Sequence, residues 1–182
     1  MKILFVCTGN ICRSPMAAQM LEQMLEREGV AQAFDIDSAG TGALEGFPLD
    51  SQAKAALERM GFEGRAHSAK QLTRELIESA NLVLTSTQEQ RAEVVELLVR
   101  ANRFSFTLKE FGHLAEYELG QRIQSSSPAL AELLADTISL RGYASLDLQQ
   151  DIADPYRKED ALFDLASSET HTSLKKLVAW LR

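Results

Sequence analysis

The run Lys2-Ile3-Leu4-Phe5-Val6 passes without a spacer into Cys7-Thr8-Gly9-Asn10-Ile11-Cys12-Arg13-Ser14-Pro15. Five residues rich in β-branched and aromatic side chains predict a short strand buried on both faces. Ser14-Pro15 reads as a helix N-cap followed by proline at the first helical position. Ala17, Met20, Leu21, Met24 and Leu25 then recur at helical spacing, with Gly29 as the stop. A strand, a short polar loop and a helix in immediate succession restrict the chain to folds that place such a loop at the end of a sheet.

The rest of the chain repeats the alternation. Ala33–Asp37 predicts a second strand, broken by a loop at Ser38-Ala39-Gly40-Thr41-Gly42. A helix is expected from about Asp50 to Met60, ended by Gly61. Asn81–Thr85 predicts a third strand. Thr87 with Gln90 three residues on has the pattern of a capping box, and Val94, Leu97, Leu98 and Ala101 form the apolar face of the helix it opens. Phe104–Thr107 predicts a fourth strand. Residues 112–150 interrupt the pattern and predict an inserted helical segment, with a helix from Ser127-Pro128 through Leu130, Leu133, Leu134 and Ile138 to Gly142. Beyond Asp154-Pro155 a closing helix is expected, with Leu174, Leu177, Val178 and Leu181 facing the sheet. The fold class is therefore α/β: a four-stranded, parallel, open sheet with helices on both faces, in one domain spanning residues 1–182. In such sheets ligands bind beyond the carboxyl ends of the strands, where Cys7 is expected.

Composition narrows the partners. A net charge of −7 with no basic block argues against nucleic acid, whose backbone needs a basic stripe. No apolar run approaches the ~20 residues of a membrane span, and five apolar positions are too few for a signal-peptide core, so a cytoplasmic protein is expected. The two cysteines, Cys7 and Cys12, and the scattered His67, His113 and His171 support neither a disulfide scaffold nor a metal site. No cofactor is expected.

The first loop carries the chemistry. A tight turn between strand and helix directs successive backbone N–H groups inward as a nest for an anion, and the helix adds the positive end of its dipole. Thr8 to Cys12 would line this nest, with Gly9 supplying a conformation that a side chain would obstruct. Arg13 can hold two phosphate oxygens through parallel hydrogen bonds. The field that binds phosphate also stabilises a thiolate at Cys7, which needs no neighbouring general base. Attack on phosphorus would give a phosphocysteine and expel an alcohol, phenol or amine. Asp154, held extended by Pro155, could protonate that leaving group and then activate the water that clears the intermediate. Asp147 and Asp151 rank below it because neither precedes proline. Each of these residues also has a plain structural role open to it: a small buried thiol, an N-cap serine, a loop-forming Asp-Pro.

These motifs resemble the low-molecular-weight protein tyrosine phosphatase family, and the resemblance covers most of the chain. It rests on Cys7–Pro15, Asp37–Thr41, Gly46–Asp50, His67–Thr73 and Asp154-Pro155-Tyr156. It implies the phosphotyrosine phosphatase I-like fold, with Cys7 as nucleophile, Arg13 as phosphate clamp and Asp154 as acid and base. It also implies that Ser14 donates to the Cys7 sulfur and that Asn10 locks the loop through Ser38 and His67. Cys12 matches a second loop cysteine that in many members bonds reversibly to the nucleophile. The long insert is similar to that of some actinobacterial members. Thr85-Ser86, Ser68 and Arg157 depart from the family's common residues.

The implied partner is a phosphorylated protein, met by a monomer or weak dimer. Tyr156 could stack on a phosphotyrosine ring and Ile11 adds an apolar wall. Relatives acting on phosphoarginine also resemble this chain, notably around Thr107–Phe111, but tend to carry threonine where Ile11 stands. Phosphotyrosine is thus the expected substrate, with phosphoarginine the alternative. An arsenate reductase shares this fold and loop, but thioredoxin-linked versions need cysteines downstream of Cys12, and none follows. A phosphate-binding module without turnover is a further alternative, against which the joint presence of Cys7, Arg13 and Asp154 argues.

Overall fold

The computed structural model describes residues 1–121, 135, 139 and 150–181. Its centre is β1 (Lys2–Cys7), whose alternate side chains leave in opposite directions because the strand period is two. Ile3 and Phe5 enter one hydrophobic cluster, Leu4 and Val6 the other, and all four are essentially inaccessible to solvent. The sheet is wholly parallel, in the order β2 (Asp35–Gly40), β1, β3 (Leu82–Thr85), β4 (Ser105–Thr107). Helices α1 (Arg13–Arg27), α2 (Ser51–Arg59), α5 (Leu108–Gln121) and α6 (Asp160–Trp180) cover the Phe5 face. Helices α3 (Arg74–Ser79) and α4 (Gln88–Leu97) cover the Leu4 face. This is the four-stranded α/β architecture that the alternation of the sequence implies.

The closing helix is the main buttress. Its Leu174, Leu177 and Trp180 are fully buried against α1 and α5. Phe111 meets Phe106 and Trp180 edge-on, with ring centroids 5.2 Å apart in each pair, worth about 0.5–1.5 kcal/mol per pair beyond burial itself.

Several boundaries differ from the sequence reading. Helix α1 begins at Arg13 with Cys12 at the N-cap, so Ser14 is not the cap and Pro15 stands third. Proline is harmless there because the first four N–H groups of a helix have no intrahelical acceptor. Gly29 does lie just past the end of α1, at φ 73°. Strand β2 runs on through Ser38, Ala39 and Gly40 instead of breaking into a loop, since Phe5, Val6 and Cys7 pair with them in register. Leu97 is 43% exposed; the chain tightens into a 3₁₀ turn at Val99–Arg103, and Leu98 and Ala101 are buried in its place. Residues 112–121 are the body of α5 and continue the regular alternation. Of the expected helix at 127–142 only residues 135 and 139 are described, both helical; the rest of it and Asp147 fall outside the described residues. No helix among the described residues is long and apolar enough to cross a membrane.

Gly40 is the tightest point of the sheet edge. A Cβ there would lie 2.3 Å from the Thr8 carbonyl oxygen, 3.0 Å from Asn10 Cβ and 3.1 Å from Ala43 Cα. Gly40→Ala should therefore lower stability by about 1–3 kcal/mol, as overpacking does, read as a lower urea midpoint at unchanged m-value. A midpoint equal to wild type would show that the loop can move away.

Two helical histidines give a second expectation. Burial, then Lys175 and Arg27, lowers the pKa of His171, which packs edge-on to Phe62; burial, then Lys176, lowers that of His113. A depressed folded pKa means that the unfolded chain takes up these protons first. The stability they contribute is complete above pH ~6.5, the ordinary value, and is lost as pH falls from there through the folded pKa. The urea midpoint should fall between pH 7.5 and 5.5, and fall less in His113→Gln/His171→Gln.

Candidate active site

The loop from Cys7 to Arg13 is shaped by what its carbonyl groups do. The carbonyl oxygens of Cys7, Thr8, Gly9 and Ile11 accept the N–H groups of Thr41, Gly42, Leu44 and Asp50 at 2.9–3.1 Å. The Asn10 carbonyl faces His67 Nε2 at 2.7 Å; a carbonyl only accepts, so His67 carries a proton on Nε2. A trans peptide points its N–H away from its C=O. Five carbonyls drawn outward by the 41–50 segment and His67 therefore turn the N–H groups of Thr8, Gly9, Asn10, Ile11 and Cys12 toward the inside of the loop. The Asn10 N–H reaches Cys7 Sγ at 3.3 Å. No side chain caps the start of α1, which leaves its first N–H groups available to an anion.

The conformational irregularity sits one residue later than expected. Gly9 has no positive φ, and a Cβ on it would meet only Ile11 and Leu44 at 3.6 and 3.9 Å, ordinary contact. Asn10 takes the left-handed conformation instead, at φ 54°, and is fully buried. Its side chain is consumed: Nδ2 donates to Ser14 Oγ and Ser38 Oγ, both at 2.9 Å, and Oδ1 accepts the Lys70 N–H at 2.9 Å. Ser14 Oγ stands 3.0 Å from Cys7 Sγ and 3.4 Å from the Ala39 carbonyl. Its single proton can serve either. Facing a thiolate it must point to the sulfur; facing a thiol it is released to Ala39. Thr8 Oγ1 accepts from Gln90 Nε2 at 3.1 Å, and Gln90 Oε1 in turn accepts the N–H groups of Ser86 and Thr87.

The second arm arrives from far along the chain. Ile152 is buried and donates its N–H to the Ser86 carbonyl at the end of β3. Asp151 accepts the Gln88 N–H at the start of α4, so its carboxylate is occupied in tying the arm down. Asp154 is thereby brought to the cysteine loop, where its Oδ1 lies 3.2 Å from Arg13 Nη2 and 3.3 Å from the Tyr156 N–H. The Arg13 side chain is 7% exposed and that of Asp154 60%.

Between the two arms lies a cavity of ≈ 380 Å³. Cys7, Thr8, Gly9, Ile11, Cys12 and Arg13 form its floor; Gly42 and Leu44 form one wall, and Asp154, Tyr156 and Arg157 the other. Ser14, Asn10, Ser38 and His67 stand behind the floor rather than in it. The sequence assigned no part in the site to Leu44, to Arg157, noted only as a departure from the family, or to Gln90, noted only as a capping-box partner. Arg157 has φ 58° and lays its guanidinium 5.0 Å from the Tyr156 ring centroid. Both cysteines are free thiols and buried. Burial, then the nearby Asp50 carboxylate, pushes the Cys12 thiol well up, so that Cys12 stays protonated at neutral pH. Among the described residues no cluster of His, Cys, Asp and Glu is placed to hold a metal.

Residues 2–121 match the family described as "Low molecular weight phosphotyrosine protein phosphatase". A protein-arginine-phosphatase of Geobacillus stearothermophilus is 44% identical over 110 residues, 60% of this chain and 70% of that one. A probable low molecular weight protein-tyrosine-phosphatase, EpsP of Ralstonia nicotianae, is 35% identical over 164 residues, 90% of this chain and 84% of that one. The solved structure of the YwlE arginine phosphatase from Geobacillus stearothermophilus is 31% identical with a TM-score of 0.70, covering 99% of this chain and 92% of that one. Phosphatases named for tyrosine and for arginine thus stand side by side among its relatives. With this sheet order, this cysteine loop and a match across residues 2–121, the chain belongs to the low-molecular-weight phosphatase family.

Proposed function

We propose that this chain hydrolyses phosphorylated protein side chains through a phosphocysteine intermediate. The observation that carries the reading is Cys7 Sγ beside Arg13 in the floor of an N–H-lined cavity, with Asp154 on its wall 3.2 Å from the Arg13 guanidinium. The phosphoryl group enters the loop with its oxygens on the inward N–H groups and the Arg13 guanidinium. The Cys7 thiolate attacks phosphorus in line. The bond from phosphorus to the leaving atom breaks, and the carboxylic acid of Asp154 passes its proton to that atom. Asp154, now a carboxylate, takes a proton from water as the water oxygen attacks phosphorus. The P–S bond breaks, inorganic phosphate forms, and the electron pair returns to sulfur, where the Ser14 hydroxyl receives it.

For the leaving group, the cavity walls favour an aryl phosphate. Ile11, Leu44 and Tyr156 present apolar surface to a phosphotyrosine ring. Arg157 brings a positive charge to the mouth, which a neutral phenol tolerates and a cationic phosphorylated guanidinium does not. The second reading, phosphoarginine, is supported by the relatives: the comparisons favour it over phosphotyrosine, with the arginine phosphatase of Geobacillus stearothermophilus 44% identical where aligned.

Cys7→Ser should abolish hydrolysis of para-nitrophenyl phosphate, assayed without added metal; undiminished turnover would refute a thiolate nucleophile. Asp154→Asn should lower kcat/KM for phenyl phosphate by about 10²-fold or more, and far less for para-nitrophenyl phosphate, whose leaving group needs little protonation. The substrate question is read from kcat/KM on matched phosphotyrosine and phosphoarginine peptides. Wild type should prefer phosphotyrosine, and Ile11→Thr should narrow that preference. Wild-type preference for phosphoarginine would give the answer to the second reading.

A further inference from the structure

The arm that carries Asp154 is tied at three successive residues, and the last tie is unlike the others. Asp151 and Ile152 are held to the ends of α4 and β3. Ala153, immediately before Asp154, donates its N–H to Glu169 Oε2 on α6 at 3.0 Å. Glu169 Oε1 is in turn 2.6 Å from Lys109 Nζ on α5, and the two side chains are only 22% and 14% exposed. A carboxylate held by an ammonium on one oxygen presents the other as a fixed acceptor. Asp154 itself has little to orient it besides the Tyr156 N–H, 3.3 Å from its Oδ1. Its carboxylate is mostly in solvent, and its ion-pair partner is Arg13, which the phosphate claims once substrate is bound. In the occupied site the backbone tether, and not Arg13, decides where the acid stands.

From this geometry we propose that Glu169, clamped by Lys109, is a positioning residue that holds Asp154 over the leaving atom. The inference rests on the reading of Asp154 as the general acid, and its test separates the two. The quantity to measure is kcat/KM across substituted aryl phosphates, because it reports the step that expels the leaving group. Glu169→Ala should lower it about tenfold for phenyl phosphate and by less than about twofold for para-nitrophenyl phosphate, steepening the dependence on leaving-group pKa. Glu169→Gln alone would turn its amide NH2 toward the Lys109 ammonium, but Glu169→Gln/Lys109→Met keeps a carbonyl acceptor for the Ala153 N–H with no ammonium facing the amide, and should bring the slope back toward wild type. Glu169→Asp keeps the charge but is one methylene short of reaching both partners, and should steepen it. In an Asp154→Asn background, Glu169→Ala should leave the slope where Asp154→Asn put it.

A uniform loss across all leaving groups in Glu169→Ala, the signature of a merely structural residue, would overturn the proposal. So would a wild-type slope in Glu169→Ala while Asp154→Asn steepens it. Should Glu169→Ala fail to fold, equal slopes in Glu169→Gln/Lys109→Met and Glu169→Asp would overturn it equally. A wild-type slope in Asp154→Asn would instead remove the acid assignment, and the tether with it.

Discussion

The outward pull on five carbonyl groups is the constraint on which the rest of this site depends. A backbone nest for an anion is unfavourable when empty, because parallel N–H dipoles repel and lack acceptors. Here the cost is met from outside the loop, by N–H donors of the 41–50 segment and by His67. Asn10 completes the device. Its left-handed backbone costs about 1–2 kcal/mol for a residue with a Cβ. Three side-chain hydrogen bonds in a fully buried position, each worth about 0.5–1.5 kcal/mol net, offset that strain. The same side chain orients Ser14, so the loop's shape and the sulfur's hydrogen-bond partner are fixed by one residue. Gly40 belongs to this device too, since only a hydrogen at its Cα lets β2 run close enough beside Thr8 and Asn10 for the donors to reach.

Topology brings the second arm to the first. With β1 and β3 adjacent and parallel, their carboxyl ends open on the same side, and the arm at 150–155 is fastened to the end of β3 through Ser86. Arg13 is thus surrounded by protein on the inside and meets a solvent-facing carboxylate on the outside. A chain of net charge −7 in this way keeps a locally positive floor for an anion, with the negative group at the mouth where it can exchange protons with water.

What could be read from the sequence follows the range of the interactions involved. The strand, the cysteine loop and α1 are local, and their order was legible because the strand period, the helical period and the loop chemistry all fall within residues 2–29. The Thr87–Gln90 capping box was legible for the same reason. It has a twin: Thr107 and Glu110 exchange hydrogen bonds at 3.1 and 3.2 Å, and this T-x-x-E spacing announces α5, whose residues 112–121 the sequence assigns to the insert. Ser38-Ala39-Gly40 has loop composition and is a strand all the same, because pairing with Phe5–Cys7 outweighs propensity at a sheet edge. Ser14 looked like a cap because its neighbour is proline; its hydroxyl is committed to the sulfur and Asn10 instead. The N–H donors of Thr41, Gly42, Leu44 and Asp50 had no sequence signal at all, since every residue but proline carries one. Glu169, fifteen residues beyond Asp154 and on a helix, looks like any surface acid until α5 supplies Lys109.

The wall of the cavity bears on leaving-group chemistry through charge as much as through shape. Asp154 and Arg157 flank Tyr156 on one turn of chain, and Arg157 is held in the left-handed region at φ 58° with its guanidinium over the tyrosine ring. An arginine in that conformation is strained relative to glycine or asparagine, so its placement has a cost that the ring contact helps to offset. The result is a mouth where one carboxylate is already paired with Arg13 and the other charge is positive. A substrate whose own cation must sit beside its phosphate meets that charge at short range, and among the described lining residues the one carboxylate is Asp154. A phenolic substrate meets the apolar faces of Ile11, Leu44 and Tyr156 and presents no charge besides its phosphate. For this reason the aryl reading draws its support from the electrostatics of the cavity, whereas the guanidinium reading draws its support from kinship with arginine phosphatases.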